Sequence, residues 1–159
     1  LAYKDGSLSD IAQDYLNFIM SADGQKIIGE EGYISVVDGE AYAVSGLSGK
    51  LVLAGSTSVA PVMEVLADAY KALNPDVTIE IQQTGSGSGI TSAIEGVCDF
   101  GMSSRELKDS EKAELTSTQI AMDGIAVVVN NDNPTDELSS DQIKSIFTGD
   151  VLTWDEALQ

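Results

Sequence analysis

The chain's 159 residues carry 26 Asp and Glu against 8 Lys and Arg, a formal net charge of -18, and no His. A field of that sign repels nucleic acid and anionic membrane surfaces, which excludes both as partners, and without His neither a Ser-His-Asp triad nor a zinc site built on Cys and His clusters is available. At 43% hydrophobic residues the chain can bury a core of its own, and no apolar run approaches the ~18 residues of a membrane span.

Leu1 to Gly6 lack the pattern of a signal peptide, which places any export signal outside this chain. Ser7 with Asp10 resembles a capping box. Ile11, Tyr15, Phe18, Ile19 and Ala22 follow at helical spacing and predict a helix over Leu8 to Met20. A second helix is expected over Asp23 to Glu31, stopped by Gly32, and then a strand over Tyr33 to Val37. Asp38 to Gly49, with Gly39, Gly46, Gly49, Ser45 and Ser48 and no apolar period, is a connector.

From Lys50 strands and helices alternate. Leu51 to Ala54 is a short apolar strand, and Val59, Val62, Met63, Leu66, Tyr70 and Leu73 mark one helix face that Asn74-Pro75 ends. Val77, Ile79 and Ile81 alternate as a half-buried strand, followed by a Gly/Ser loop, a helix with Ile90, Ala93, Ile94 and Val97, and a strand over Phe100 to Met102. Cys98, the single cysteine, reads as a small buried thiol. Ile125 to Val129 predicts a buried strand, and Ser140, Ile143, Ile146 and Phe147 with Gly149 a last helix and its stop. Trp154 and the five Tyr show no interleaving with basic residues and read as anchors of core or surface. Alternating strands and helices predict an α/β fold, a mostly parallel sheet with helices on both faces, and place ligands at the loops beyond the strand C-termini.

Two such loops carry hydroxyls at a helix start: Gly55-Ser56-Thr57-Ser58-Val59-Ala60-Pro61 and Thr84-Gly85-Ser86-Gly87-Ser88-Gly89. Helix starts leave backbone N–H groups unpaired and carry about half a positive charge, so a pair of them suits one small oxyanion. The plainer readings are an N-cap at Ser58 and ordinary Gly-rich punctuation in the second loop. A third element, Asp99 to Arg105, sets Ser103, Ser104 and a guanidinium at a strand end; Arg105 can serve a ligand or hold Asp99 or a surface carboxylate. A dinucleotide fingerprint fails at Ile90, where Gly is required, and no Gly-Lys-Ser/Thr tripeptide exists for a nucleotide-phosphate loop. The patterned loop of an EF-hand is also missing.

The run Leu53 to Pro61, then Thr84 to Gly89, then Asp99 to Arg105, with Ile146-Phe147-Thr148-Gly149 and Trp154, resembles the phosphate-binding proteins of bacterial phosphate ABC importers, of the periplasmic-binding-protein type II superfamily. The resemblance implies one lobe of a two-lobed protein that closes on inorganic phosphate and delivers it to a membrane permease. It implies no catalysis, no cofactor and no metal, and a place outside the cytoplasmic membrane, with an anchor outside this chain. Thr57 and Ser58 match the first ligand loop, Ser86 the second, and Ser104, with Arg105 beside it, the position after the Asp-Phe-Gly strand. Some members carry Asp where this chain has Ser104. The alternative is a non-catalytic surface module that keeps the fold without a ligand. An enzyme acting on phosphoesters is disfavoured by the missing His and the lack of a patterned metal cluster.

The segments stand in an unexpected order. Residues 1–37 resemble that family's C-terminal tail and residues 50–159 its N-terminal part, joined by the connector 38–49, and the expectation is that together they form one globular lobe. A fragment spanning the junction of two tandem domains, or a circular permutation with one lobe removed, would each give this order, and the natural look of the connector favours the tandem junction.

Overall fold

The computed structural model describes residues 1–4, 6, 8–133 and 135–158. These divide into two compact units, Leu1–Gly124 and Ile125–Gln159.

The first unit is a five-stranded open sheet in the order β3-β2-β4-β1-β5, with β1 Ala2–Tyr3, β2 Gly49–Gly55, β3 Val77–Gln83, β4 Phe100–Met102 and β5 Thr116–Ser117. Strand β2 pairs in parallel with β3 and β4, while β1 is antiparallel to β4 and β5. Strand β1 alone therefore runs against the other four, and the sheet is mostly parallel as the alternation predicts. The register Ala2↔Gly101 and Ala2↔Ser117 inserts a strand of the first segment between two of the third, so residues 1–37 and 50–124 share one sheet.

Alternation along β2 explains why both faces are covered. Leu51 and Leu53 enter one core with Phe100, Met102 and the helices α1 Asp10–Ile19 and α3 Ala60–Leu73, whereas Val52 and Ala54 meet Ile90, Ala93, Cys98 and Leu107 under α4 Ser86–Glu95. Leu51, Leu53, Leu66 and Phe100 are fully buried, each contributing about 1.5–3 kcal/mol. Helix α2, Ala22–Glu30, packs so closely on α1 that a Cβ on Gly24 would lie 2.3 Å from the Phe18 carbonyl. The Cys98 thiol is buried, and burial pushes it up to about 11, with Asp99 adding to the effect.

Three local expectations differ from the structure. Ser7 lies outside the described residues, and the cap of α1 is Ser9, which accepts from the Ala12 N–H at 3.3 Å. Among the described residues, Tyr33 to Val37 reduces to one bridge, Ile34↔Met122. Ile125 to Val129 forms no strand and is exposed, since no described strand pairs with it. The connector has no regular structure yet is anchored: Ala22 N–H donates to the Glu40 carbonyl at 2.8 Å and Tyr42 N–H to Asp23 Oδ2 at 2.8 Å.

The short helix α5 Asp109–Lys112 precedes β5. The second unit holds α6 Ser140–Thr148, capped by Ser139 and stopped at Gly149 in the left-handed region, and α7 Trp154–Ala157.

Candidate functional site

Three loops meet at the C-terminal ends of β2, β3 and β4. The Gly55 carbonyl accepts from the N–H groups of Thr84 (2.9 Å) and Gly85 (2.8 Å), and Ser56 N–H donates to the Met102 carbonyl (2.9 Å). Gly55, at φ 141, could not carry a side chain, whose Cβ would meet the Met102 carbonyl at 2.2 Å. Gly89 is as tightly placed, since a Cβ there would lie 2.3 Å from the Ala54 carbonyl. These contacts bring the starts of α3 and α4 against neighbouring strand ends.

Neither helix start uses a side-chain cap. The N-cap of α3 is Val59 rather than Ser58, and that of α4 is Gly85. The hydroxyls of Thr57 and Ser58 are exposed and bond to no described residue, and among the described residues nothing accepts from the N–H groups of Thr57, Ser58 and Val59 or of Ser86, Gly87 and Ser88. Both helix starts thus present unpaired donors and the positive end of the helix dipole.

Ser86 and Ser104 come together. Their hydroxyls are 3.3 Å apart, and the Ser104 N–H donates to Ser86 Oγ at 3.3 Å. Arg105 is spent differently: its guanidinium forks onto Glu111 with both bonds at 2.8 Å and donates to the Glu106 carbonyl at 2.7 Å. The paired guanidinium, with the Lys108 N–H, holds the Glu111 carboxyl down at about 2. Asp99 is not its partner and accepts from Val52 N–H at 2.8 Å.

Beside these loops lies an open cleft of about 670 Å³ whose lining includes Ser58, Ser104 and Arg105 together with Tyr33, Thr118 and Asp123; Thr57 and Ser86 are not on its wall. Tyr33, which the sequence does not mark as a site residue, donates its hydroxyl to the Ser58 carbonyl at 3.3 Å and so ties the first segment to the first hydroxyl loop. Its position next to Gly32, where helix spacing ends, was the only signal in the sequence. Among the described residues no group of three or more metal-ligating side chains gathers, and no helix is long and apolar enough to cross a membrane.

The comparisons with known proteins fall on this arrangement. A family model described as the PBP superfamily domain matches residues 40–159. The phosphate-binding protein PstS 2 of Streptococcus agalactiae serotype V is 46% identical over 154 residues, which are 96% of this chain and 53% of that protein. A solved phosphate-binding protein of a Streptococcus pneumoniae TIGR4 phosphate ABC transporter superposes with a TM-score of 0.88 at 44% identity, covering 98% of this chain and 61% of its own. A Clostridium perfringens substrate-binding protein of a putative phosphate ABC transporter, solved with bound phosphate, matches 68% of this chain and 45% of its own at 49% identity and a TM-score of 0.53. The chain spans about half the length of the curated relatives it matches.

Proposed function

This chain belongs to the PBP superfamily domain family, and from that membership and its paired helix starts we propose that it is the phosphate-binding lobe of the solute-binding component of a phosphate ABC importer. The observation that carries the reading is the meeting of the uncapped α3 and α4 at one edge of the sheet, with Ser86 on Ser104 and the Thr57 and Ser58 hydroxyls unspent. Such a site solvates a tetrahedral oxyanion with short-range donors, which outweigh the screened distant carboxylates. The roles follow from position. Thr57, Ser58 and Ser86 donate hydroxyls beside helix N–H groups, Ser104 positions Ser86 and donates in turn, and Arg105, held by Glu111, supplies positive charge at the rim.

The protein acts by binding and delivery, not catalysis, outside the cytoplasmic membrane and tethered through a segment beyond these residues, and it hands its anion to a permease. A second lobe closes the site, so this lobe alone binds weakly. The order of the segments is supported as a permutation over a tandem junction by simple proportion. The Streptococcus agalactiae relative aligns along nearly all of this chain and is about twice as long, which leaves room for one more lobe and not three.

Titration calorimetry of the intact polypeptide with phosphate and with sulfate tests the proposal. Heat with phosphate and at most weak heat with sulfate is expected. Silence with both anions would transfer the chain to ligand-free interaction modules, and turnover of a phosphoester would make it an enzyme.

A further inference from the structure

Tyr33 sits in a segment that is fixed from several sides. Gly32, at φ 86, turns the chain out of α2, and the Tyr33 N–H then donates to the Ile28 carbonyl at 3.1 Å. Ile34 exchanges both backbone bonds with Met122, at 2.8 and 2.9 Å. Ser35 Oγ and the Val36 N–H both donate to Gln25 Oε1, while Gln25 Nε2 donates to the Ile19 and Ile120 carbonyls at 3.0 Å each. Gln25 is only 4% exposed, so every bond that a buried Gln amide can make goes into holding this segment in place.

What the segment presents to the first hydroxyl loop is one O–H group. The Tyr33 ring packs against the main core, and its hydroxyl donates to the Ser58 carbonyl at 3.3 Å. Among the described residues no backbone N–H donates to that carbonyl. The Ser58–Val59 peptide is trans, so its C=O and N–H point in opposite directions. Fastening the carbonyl on Tyr33 therefore fixes the direction of the Val59 N–H, one of the unpaired donors at the start of α3. That helix start has no side-chain cap to hold the peptide plane, and a plane turned over would aim a carbonyl dipole at an anion in place of a donor. We propose that Tyr33 is a positioning residue of the anion site: by holding the Ser58 carbonyl it aims the Val59 N–H at the phosphate. The inference rests on the phosphate-binding reading above and adds to it a residue that acts through the backbone of the first hydroxyl loop.

Tyr33→Phe keeps the ring and removes the O–H, and comparing this variant with its parent in the intact polypeptide tests the proposal. Before any anion is added, the residual dipolar coupling of the Val59 N–H should change while those of Ile34 and Met122 hold. Phosphate affinity by calorimetry should fall roughly three- to ten-fold, as the loss of one neutral hydrogen bond predicts, with the melting temperature within about 3 °C of the parent. In a parent that binds phosphate, an unchanged Val59 coupling or an unchanged affinity would overturn the proposal. A large drop in melting temperature, with couplings altered throughout the segment, would overturn it too, by making Tyr33 a prop of the fold. A parent that gives no heat with phosphate would instead overturn the underlying reading, and this role with it.

Discussion

The hydroxyls at the two helix starts divide into those already used and those left over, and the division predicts what each substitution does. The Thr57 hydroxyl has no partner among the described residues, so on the proposed reading Thr57→Val removes a donor to the anion at little cost to the fold, and phosphate affinity of the intact polypeptide should fall roughly ten- to a hundred-fold, as a charge-assisted hydrogen bond of about 1.5–3 kcal/mol requires. Ser86→Ala should lose as much and should also release the Ser104 loop. Unchanged affinity in both variants, read by calorimetry, would reject these assignments. Arg105 and Glu111 obey a different rule. The Glu111 carboxyl titrates near 2 in the folded chain against an ordinary 4.5, so the pair stabilises the fold above about pH 4.5 and loses that contribution as pH falls toward 2. Thermal melts of the parent and of Glu111→Gln should therefore differ at pH 6 and converge by pH 2, and a gap that persists at pH 2 would show that the stabilisation is not ionic.

Helices were legible because their apolar spacing is local, and α3, α4 and α6 begin and end within a residue or two of the positions that Asn74-Pro75, the Gly/Ser loop and Gly149 mark. Strands were legible only where a partner lies within this chain. Leu51 to Ala54 and Val77 to Ile81 pair with each other, whereas among the described residues Tyr33 to Val37 finds one bridge and Ile125 to Val129 finds no partner. A β pattern states that a segment wants neighbours, not that it has them. The two-residue strands β1 and β5 carry too few residues for any period to register. In the site, the hydroxyl loops were readable as motifs, but the commitment of Arg105 to Glu111 and the reach of Tyr33 to Ser58 are long-range facts that spacing does not encode. The packing that joins the loops is open to test at Gly89. In mid-helix, Ala would gain about 1 kcal/mol over Gly by propensity, yet its Cβ would lie 2.3 Å from the Ala54 carbonyl and 2.5 Å from the Gly55 Cα, backbone that cannot swing aside. The clash wins: Gly89→Ala should cost roughly 3 kcal/mol in urea unfolding and weaken phosphate binding by displacing Ser86 from Ser104. A variant as stable as its parent would show that α4 can shift outward without consequence.

In the 159-residue chain a net charge of -18 would work against the proposed anion site, and that opposition has a measurable sign. On the proposed reading the attraction comes from N–H and O–H donors in contact with the ion and is insensitive to ionic strength, because no mobile ion fits between. The repulsion comes from 26 Asp and Glu on the scale of the whole surface, and its range shrinks from about 30 Å at 0.01 M salt to about 8 Å at 0.15 M. Added salt removes the repulsion and leaves the attraction, so phosphate binding to the 159-residue chain, followed by amide shifts of Thr57, Ser58 and Ser86, should tighten several-fold over that interval with a weakly competing anion such as gluconate. A protein that draws its ligand by a basic surface behaves in the opposite way. Affinity that falls as salt rises would mean that local positive charge at the rim, Arg105 first, governs the encounter, and the balance between neutral donors and distant carboxylates would then have to be redrawn in favour of the guanidinium.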